Sequence, residues 1–90
     1  MGIVIKRDGK KQKFSAGKIR RSIQKAAHEA GVSASRAKEL IHDVADAVIK
    51  EYQNKKTKAA YLRRIILRRL DRKSRSVSSA WRRFDKKRRR

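Results

Sequence analysis

Ile3-Val4-Ile5-Lys6-Arg7-Asp8-Gly9-Lys10-Lys11-Gln12-Lys13-Phe14-Ser15 is the stretch on which the fold turns. Three β-branched residues open it and an Asp-Gly pair that favours tight turns stands near its middle. Lys11 to Phe14 leads back, and the pattern predicts a β-hairpin. Two strands alone are marginal in water, so the hairpin must pack on something else. The next residues supply it. Ser15 is a candidate N-cap, after which Ile19, Ile23, Ala26, Ala27 and Ala30 fall on one helical face. Lys18, Arg21 and Lys25 fall on the opposite face, and Gly31 supplies a stop.

The helical period then repeats three times. Ser33 or Ser35 caps a second helix whose apolar stripe is Ala37, Leu40, Ile41, Val44, Val48 and Tyr52, with Glu39, Asp43 and Asp46 on the far side. It is expected to end near Gln53-Asn54. Thr57 is read as the cap of a third helix in which Leu62, Ile65, Ile66 and Leu70 face inward and Leu67 lies toward the edge. Its wide apolar sector predicts the most buried helix of the chain. Val77, Ala80, Trp81 and Phe84 follow the i, i+3, i+4, i+7 template of a fourth helix, capped by Ser74 or Ser76. The expected fold is α+β: an N-terminal β-hairpin packed on a small bundle of four helices, one domain over residues 1–85, with a basic C-terminal tail at 86–90. The absence of proline suits helix-rich content.

Charge separates the function classes. Lys plus Arg number 29 and Asp plus Glu 8 in 90 residues, a formal net charge of +21. Such self-repulsion points to a polyanionic partner. The ends are strongly cationic and the middle nearly neutral: residues 55–90 hold seventeen bases and two acids, residues 31–54 three bases and four acids. The pattern contains neither a membrane span nor an export signal, and zero cysteines exclude a disulfide framework or a thiol nucleophile. A cytoplasmic protein is the expectation.

Catalysis finds little support. His28 and His42 are the only histidines, so a metal site would have to recruit acids from elsewhere. Glu39, Asp43 and Asp46 share a face that could hold a cation or a proton-transfer pair, but such a stripe is more often a solvated surface or pairs with nearby arginines. Ser74, Ser76, Ser78 and Ser79 have no His or acidic partner in sequence reach and suit capping or phosphate contact. No enzyme, no catalytic residue, no metal and no cofactor are expected.

The basic residues differ in kind. In the C-terminal third arginine outnumbers lysine by eleven to six. The guanidinium fork binds phosphate oxygens in pairs and stacks on bases, so the enrichment points to nucleic acid. The leading expectation from charge is a structural ribosomal protein, with ribosomal RNA favoured over DNA and ribosomal proteins as neighbours. A DNA-binding chromatin or regulatory protein is the alternative. Arg63, Arg64, Arg68, Arg69, Arg72, Lys73, Arg75, Arg82, Arg83, Arg88, Arg89 and Arg90 would clamp phosphates, and Lys10, Lys11, Lys13, Lys18 and Arg21 would form a second face. Trp81 and Phe84 are assigned to the core and Tyr52 to its edge. Tyr61, off the apolar stripe, is the stacking candidate.

A family resemblance offers a third reading. Val4-Ile5-Lys6-Arg7-Asp8-Gly9, with Phe14-Ser15 and Lys18-Ile19, resembles the opening of the ATP-cone domain, a nucleotide-sensing module of ribonucleotide reductases and their bacterial repressor. The resemblance covers residues 3–85 and implies a β-hairpin lid over a small helical bundle, with an adenine nucleotide such as ATP bound between them. It also implies that Lys6, Arg7 and Lys18 lie near the phosphates, that Val4 walls the base and that Thr57 makes a polar contact. Basic groups at a hairpin rim and a helix N-terminus are a natural anion site.

Overall fold

A computed structural model describes residues 2–88, with side chains described through Lys86. Strand β1 (Ile3–Ile5) pairs antiparallel with β2 (Lys11–Lys13), Val4 opposite Gln12. Asp8 Oδ1 accepts from the Lys10 amide at 3.0 Å, and Gly9 takes a φ of +86° that side chains disfavour. Helix α1 (Ala16–Glu29) starts at Ser15, whose Oγ accepts from the Lys18 amide at 3.2 Å. It ends at Gly31, φ +75°, where the Gly31 and Val32 amides donate to the carbonyls of His28 and Ala27 in a Schellman closure.

The second helical rod has three parts: α2 (Ala34–Leu40), capped by Ser33, then a π-helical segment (Ile41–Asp46), then α3 (Ala47–Tyr52). The π segment lies outside what periodicity foresees. Its looser winding brings Ala45 and Ile49 into the core beside the expected Val44 and Val48. This rod, with Leu40, Val44, Ala45, Val48, Ile49 and Tyr52 buried, is the most buried of the described helices, correcting the expectation for the third helix, which buries Leu62, Ile66 and Leu70.

A third strand, β3 (Lys56–Lys58), was also unforeseen. It runs parallel to β1 with Thr57 beside Val4, so the sheet order is β2-β1-β3. Lys-Thr-Lys carries no apolar alternation, and the segment is extended because β1 has a second edge whose backbone groups need partners. Thr57 is therefore buried in a strand and caps nothing. Lys58 holds the cap position of α4 (Ala59–Lys73) without a side-chain hydrogen bond.

Ser74 alone separates α4 from α5 (Arg75–Arg88), and its Oγ accepts from the Val77 amide at 3.4 Å. The expected tail is thus helical as far as Arg88, while Arg89 and Arg90 lie outside the described residues. Fully buried Ile23, Leu40, Val44, Val48, Leu70 and Val77 form the centre of the core, and Ala26, Ala27 and Ala80 let the helices approach closely. Ser78, also fully buried, donates to Asp71 Oδ1 and ties α5 to the last turn of α4. No described helix is long and apolar enough to cross a membrane.

Candidate functional site

Side-chain alternation places Val4, Gln12 and Thr57 in one row across the sheet, and Lys6 follows Val4 on the same face. Between this face and the helices lies a cleft of about 610 Å³. Helix α1 lines it with Lys18, Ile19, Arg21, Ser22 and Lys25, at helical spacing, together with its cap Ser15. From α4 come Ala59, Leu62, Arg63 and Ile66, and from α5 come Trp81 and Asp85.

The cleft has two chemical halves. Ile19, Leu62, Ile66, Phe14 and Trp81 form an apolar floor. Trp81 is 6% exposed and its orientation is fixed, because Nε1 donates to Ser22 Oγ at 3.1 Å while that hydroxyl donates to the Ile19 carbonyl at 2.7 Å. Among the described residues six cations stand around the rim, Lys6, Lys13, Lys18, Arg21, Lys25 and Arg63, against one lining carboxylate, Asp85. Asp85 Oδ2 lies 3.6 Å from Arg63 Nε, with side-chain exposures of 16% and 27%. An excess of five positive charges over a flat apolar surface suits a ligand with a ring at one end and a polyanion at the other. A side recess of about 350 Å³, lined by Lys6, Arg7, Asp8 and Arg63, adjoins it through the shared Lys6 and Arg63.

Of the five positions that the resemblance singled out, Val4, Lys6 and Lys18 line the cleft and Arg7 lines the recess. Thr57 is buried next to Val4 and is not among the lining residues. Gln12, Ser22, Lys25, Trp81 and Asp85 were missed as cleft residues. Helical spacing from Lys18 reaches Ser22 and Lys25, and spacing from Trp81 reaches Asp85. Only the tertiary fold turns these two stripes toward the hairpin.

The residues expected to clamp nucleic acid divide. Lys13, Lys18, Arg21 and Arg63 belong to the cleft, while Lys10 and Lys11 are exposed on the hairpin away from it. Arg69 reaches Glu51 at 3.9 Å, Lys73 reaches Asp43 at 3.7 Å and Arg82 reaches Asp71 at 2.9 Å, so these bases hold the fold together as well. Arg64, Arg68, Arg72, Arg75 and Arg83 are exposed and make no ion pair among the described residues. Arg88 ends α5, beyond the described side chains. The acidic stripe is structural: Glu39 pairs with Arg36, Asp46 with Arg20 and Asp43 with Lys73 and His42. The His42 hydrogen bond, reinforced by the Lys73 charge, holds the Asp43 carboxyl below its usual range.

Comparison with curated proteins finds no match. Comparison with family descriptions finds one, the ATP cone domain, over residues 2–87. A hairpin lid, a helical bundle and a cationic cleft between them therefore coincide with a match over nearly the whole chain, and the chain belongs to the ATP-cone domain family.

Proposed function

We propose that the cleft binds a nucleoside triphosphate, ATP in the first instance, and that its occupancy is a regulatory signal with no chemical step. The ring lies on the floor made by Trp81, Leu62 and Ile66, and the phosphates lie among Lys6, Lys18 and Arg21, with Arg7 in reach from the side recess. The observation that carries this reading is the convergence of six cations on a concavity with an apolar floor, in a chain of the ATP-cone family. Because Lys6 belongs to the hairpin and Lys18 to α1, one ligand bridges the two layers and stabilises the folded chain in proportion to its occupancy. Membership of this family favours a nucleotide as the ligand of the cleft over the ribosomal RNA, ribosomal neighbours and DNA expected from charge. A scaffold coated by polyanion also has no use for an apolar-floored cleft, so the nucleotide reading stands ahead of the ribosomal one.

The single tryptophan makes the test direct, since it lies in the cleft floor. ATP should change Trp81 fluorescence saturably with one site per chain, and calorimetry should give the same stoichiometry. Inorganic triphosphate should bind more weakly and leave the tryptophan signal largely unchanged. Lys6→Ala and Lys18→Ala should each weaken ATP about 10- to 150-fold, the range for loss of a charge-assisted hydrogen bond, while Lys38→Ala on exposed α2 should not. Equal effects of all three substitutions would mean that ATP responds only to overall charge, and the cleft assignment would fall.

A further inference from the structure

We propose that the outer face of α4 is a second binding site, for an unpaired strand of RNA, which stacks on Tyr61 and is held through its phosphates by Arg64, Arg68 and Arg72. The spacing of three, four and four residues sets these side chains in one stripe, roughly 16 Å long. The stripe points roughly 135° away from Leu62 and Ile66, which line the cleft, by the helical rotation of about 100° per residue. Occupancy of one site therefore leaves the other open.

Two observations mark this stripe. The first is how the charges are paired and spaced. The neighbouring bases Arg63, Arg69 and Lys73 are engaged by Asp85, Glu51 and Asp43, and Asp71 is taken up by Arg82 and Ser78. Arg64, Arg68 and Arg72, like Arg75 and Arg83, are exposed without an ion pair among the described residues, and of these five they alone follow one another four apart on one helix, where like charges destabilise it. A chain of phosphates relieves that repulsion.

The second is Tyr61, the only exposed large hydrophobic side chain among the described residues, at 47%. It lies in line with the arginines, and its ring meets that of buried Tyr52 in a T-shaped contact, centroids 6.0 Å apart and planes at 78°. The ring is thus oriented before any partner arrives, which lowers the ordering cost of binding.

The chemistry selects the partner. Tyr61 can stack only on a base whose face is free, which a duplex hides and RNA offers in loops, bulges and single-stranded ends. Arginine adds paired contacts to phosphate that an ammonium group cannot make. An acidic polypeptide would satisfy the charges and leave the tyrosine unused.

The test uses the full chain and a labelled uridine oligomer of about 12 nucleotides, within the site size of one small module, followed by fluorescence anisotropy at physiological ionic strength. Tyr61→Ala should weaken binding about 5- to 100-fold, and Tyr61→Phe, which keeps the stacking face, should restore it. Replacing Arg64, Arg68 and Arg72 together by Gln should reduce the slope of log affinity against log salt by about two. The same charge removed at Lys10, Lys11 and Lys38 should reduce it by less than half as much. Saturating ATP should leave RNA bound. The assignment is overturned if Tyr61→Ala binds like the parent chain, if the lysine triple matches the arginine triple, or if ATP displaces the RNA. It is overturned equally if a thymidine oligomer or duplex DNA binds more tightly than the uridine oligomer, or if polyglutamate binds with the same dependence on Tyr61.

Discussion

Asp85→Asn should move stability and ligand affinity in opposite directions. Asp85 is the one carboxylate among the described residues lining the cleft, against six cations, so its neutralisation raises the net charge of those residues from +5 to +6. A unit charge about 8 Å from a phosphate, in an effective dielectric of about 40, is worth about 1 kcal/mol, which is about a fivefold gain in triphosphate affinity. The same substitution leaves the Arg63 guanidinium, only 27% exposed, without its carboxylate at 3.6 Å. A pair at this depth stands between a surface pair of about 0–1 kcal/mol and a buried one whose rupture costs about 3–5 kcal/mol. A loss of about 1–3 kcal/mol follows, which for a domain of this size lowers Tm by roughly 5–20 °C. Titration of Trp81 fluorescence with ATP gives the affinity, and a thermal melt followed by circular dichroism gives the stability. Weaker ATP binding by the variant would refute the reasoning, because it would mean that Asp85 accepts a hydrogen bond from the ligand and does not merely offset charge.

Gly2→Ala should destabilise the fold by about 1–3 kcal/mol, read from chemical denaturation, because the new Cβ would meet the Gln53 carbonyl oxygen at 2.2 Å where β1 passes the end of α3. Acid stability should depend on Asp71, whose carboxyl is held below the usual value of 3.8 by the Ser78 hydroxyl and then by the Arg82 and Arg75 charges. The stability it lends is complete above the unfolded-state pKa and disappears as pH falls through the lower folded value. Asp71→Asn should therefore flatten the decline in stability below about pH 4 while lowering stability at neutral pH, and an unchanged acid limb would show that the carboxyl contributes nothing there.

The elements that were legible in advance rest on local physics. Asp8-Gly9, Ser15, Gly31, Ser33 and Ser74 act where they stand, each through its own backbone or a hydrogen bond no more than three residues away. The apolar stripes of α1, α4 and α5 likewise follow from the period of the helix. The π segment escaped this reading because the α-helical period assumes one winding throughout, whereas the buried residues of this rod include both Val44-Ala45 and Val48-Ile49, a repeat of four. Strand β3 escaped it because Lys56-Thr57-Lys58 has no pattern of its own and is extended only in the presence of β1. The cleft was half legible. Lys6 and Lys18 were marked by resemblance, whereas Trp81 gave no more than a core signal, since its spacing with Val77, Ala80 and Phe84 marks an inward helix face and does not reveal a cleft beside it.

The amino-acid order by itself determined a basic, cysteine-free chain, its helical segments, the caps at Ser15, Ser33 and Ser74 and a hairpin that needed a support, because each of these depends on residues within about one or two turns of one another. Tertiary structure decided which of its many cations act together. Net charge is indifferent to position, but folding sets six cations around an apolar floor, commits Arg69, Lys73 and Arg82 to carboxylates of other elements, and leaves Arg64, Arg68 and Arg72 in line with Tyr61. Distance in space, which the order of residues does not contain, turns the same charge into the rim of a cleft, a structural tie or an open surface.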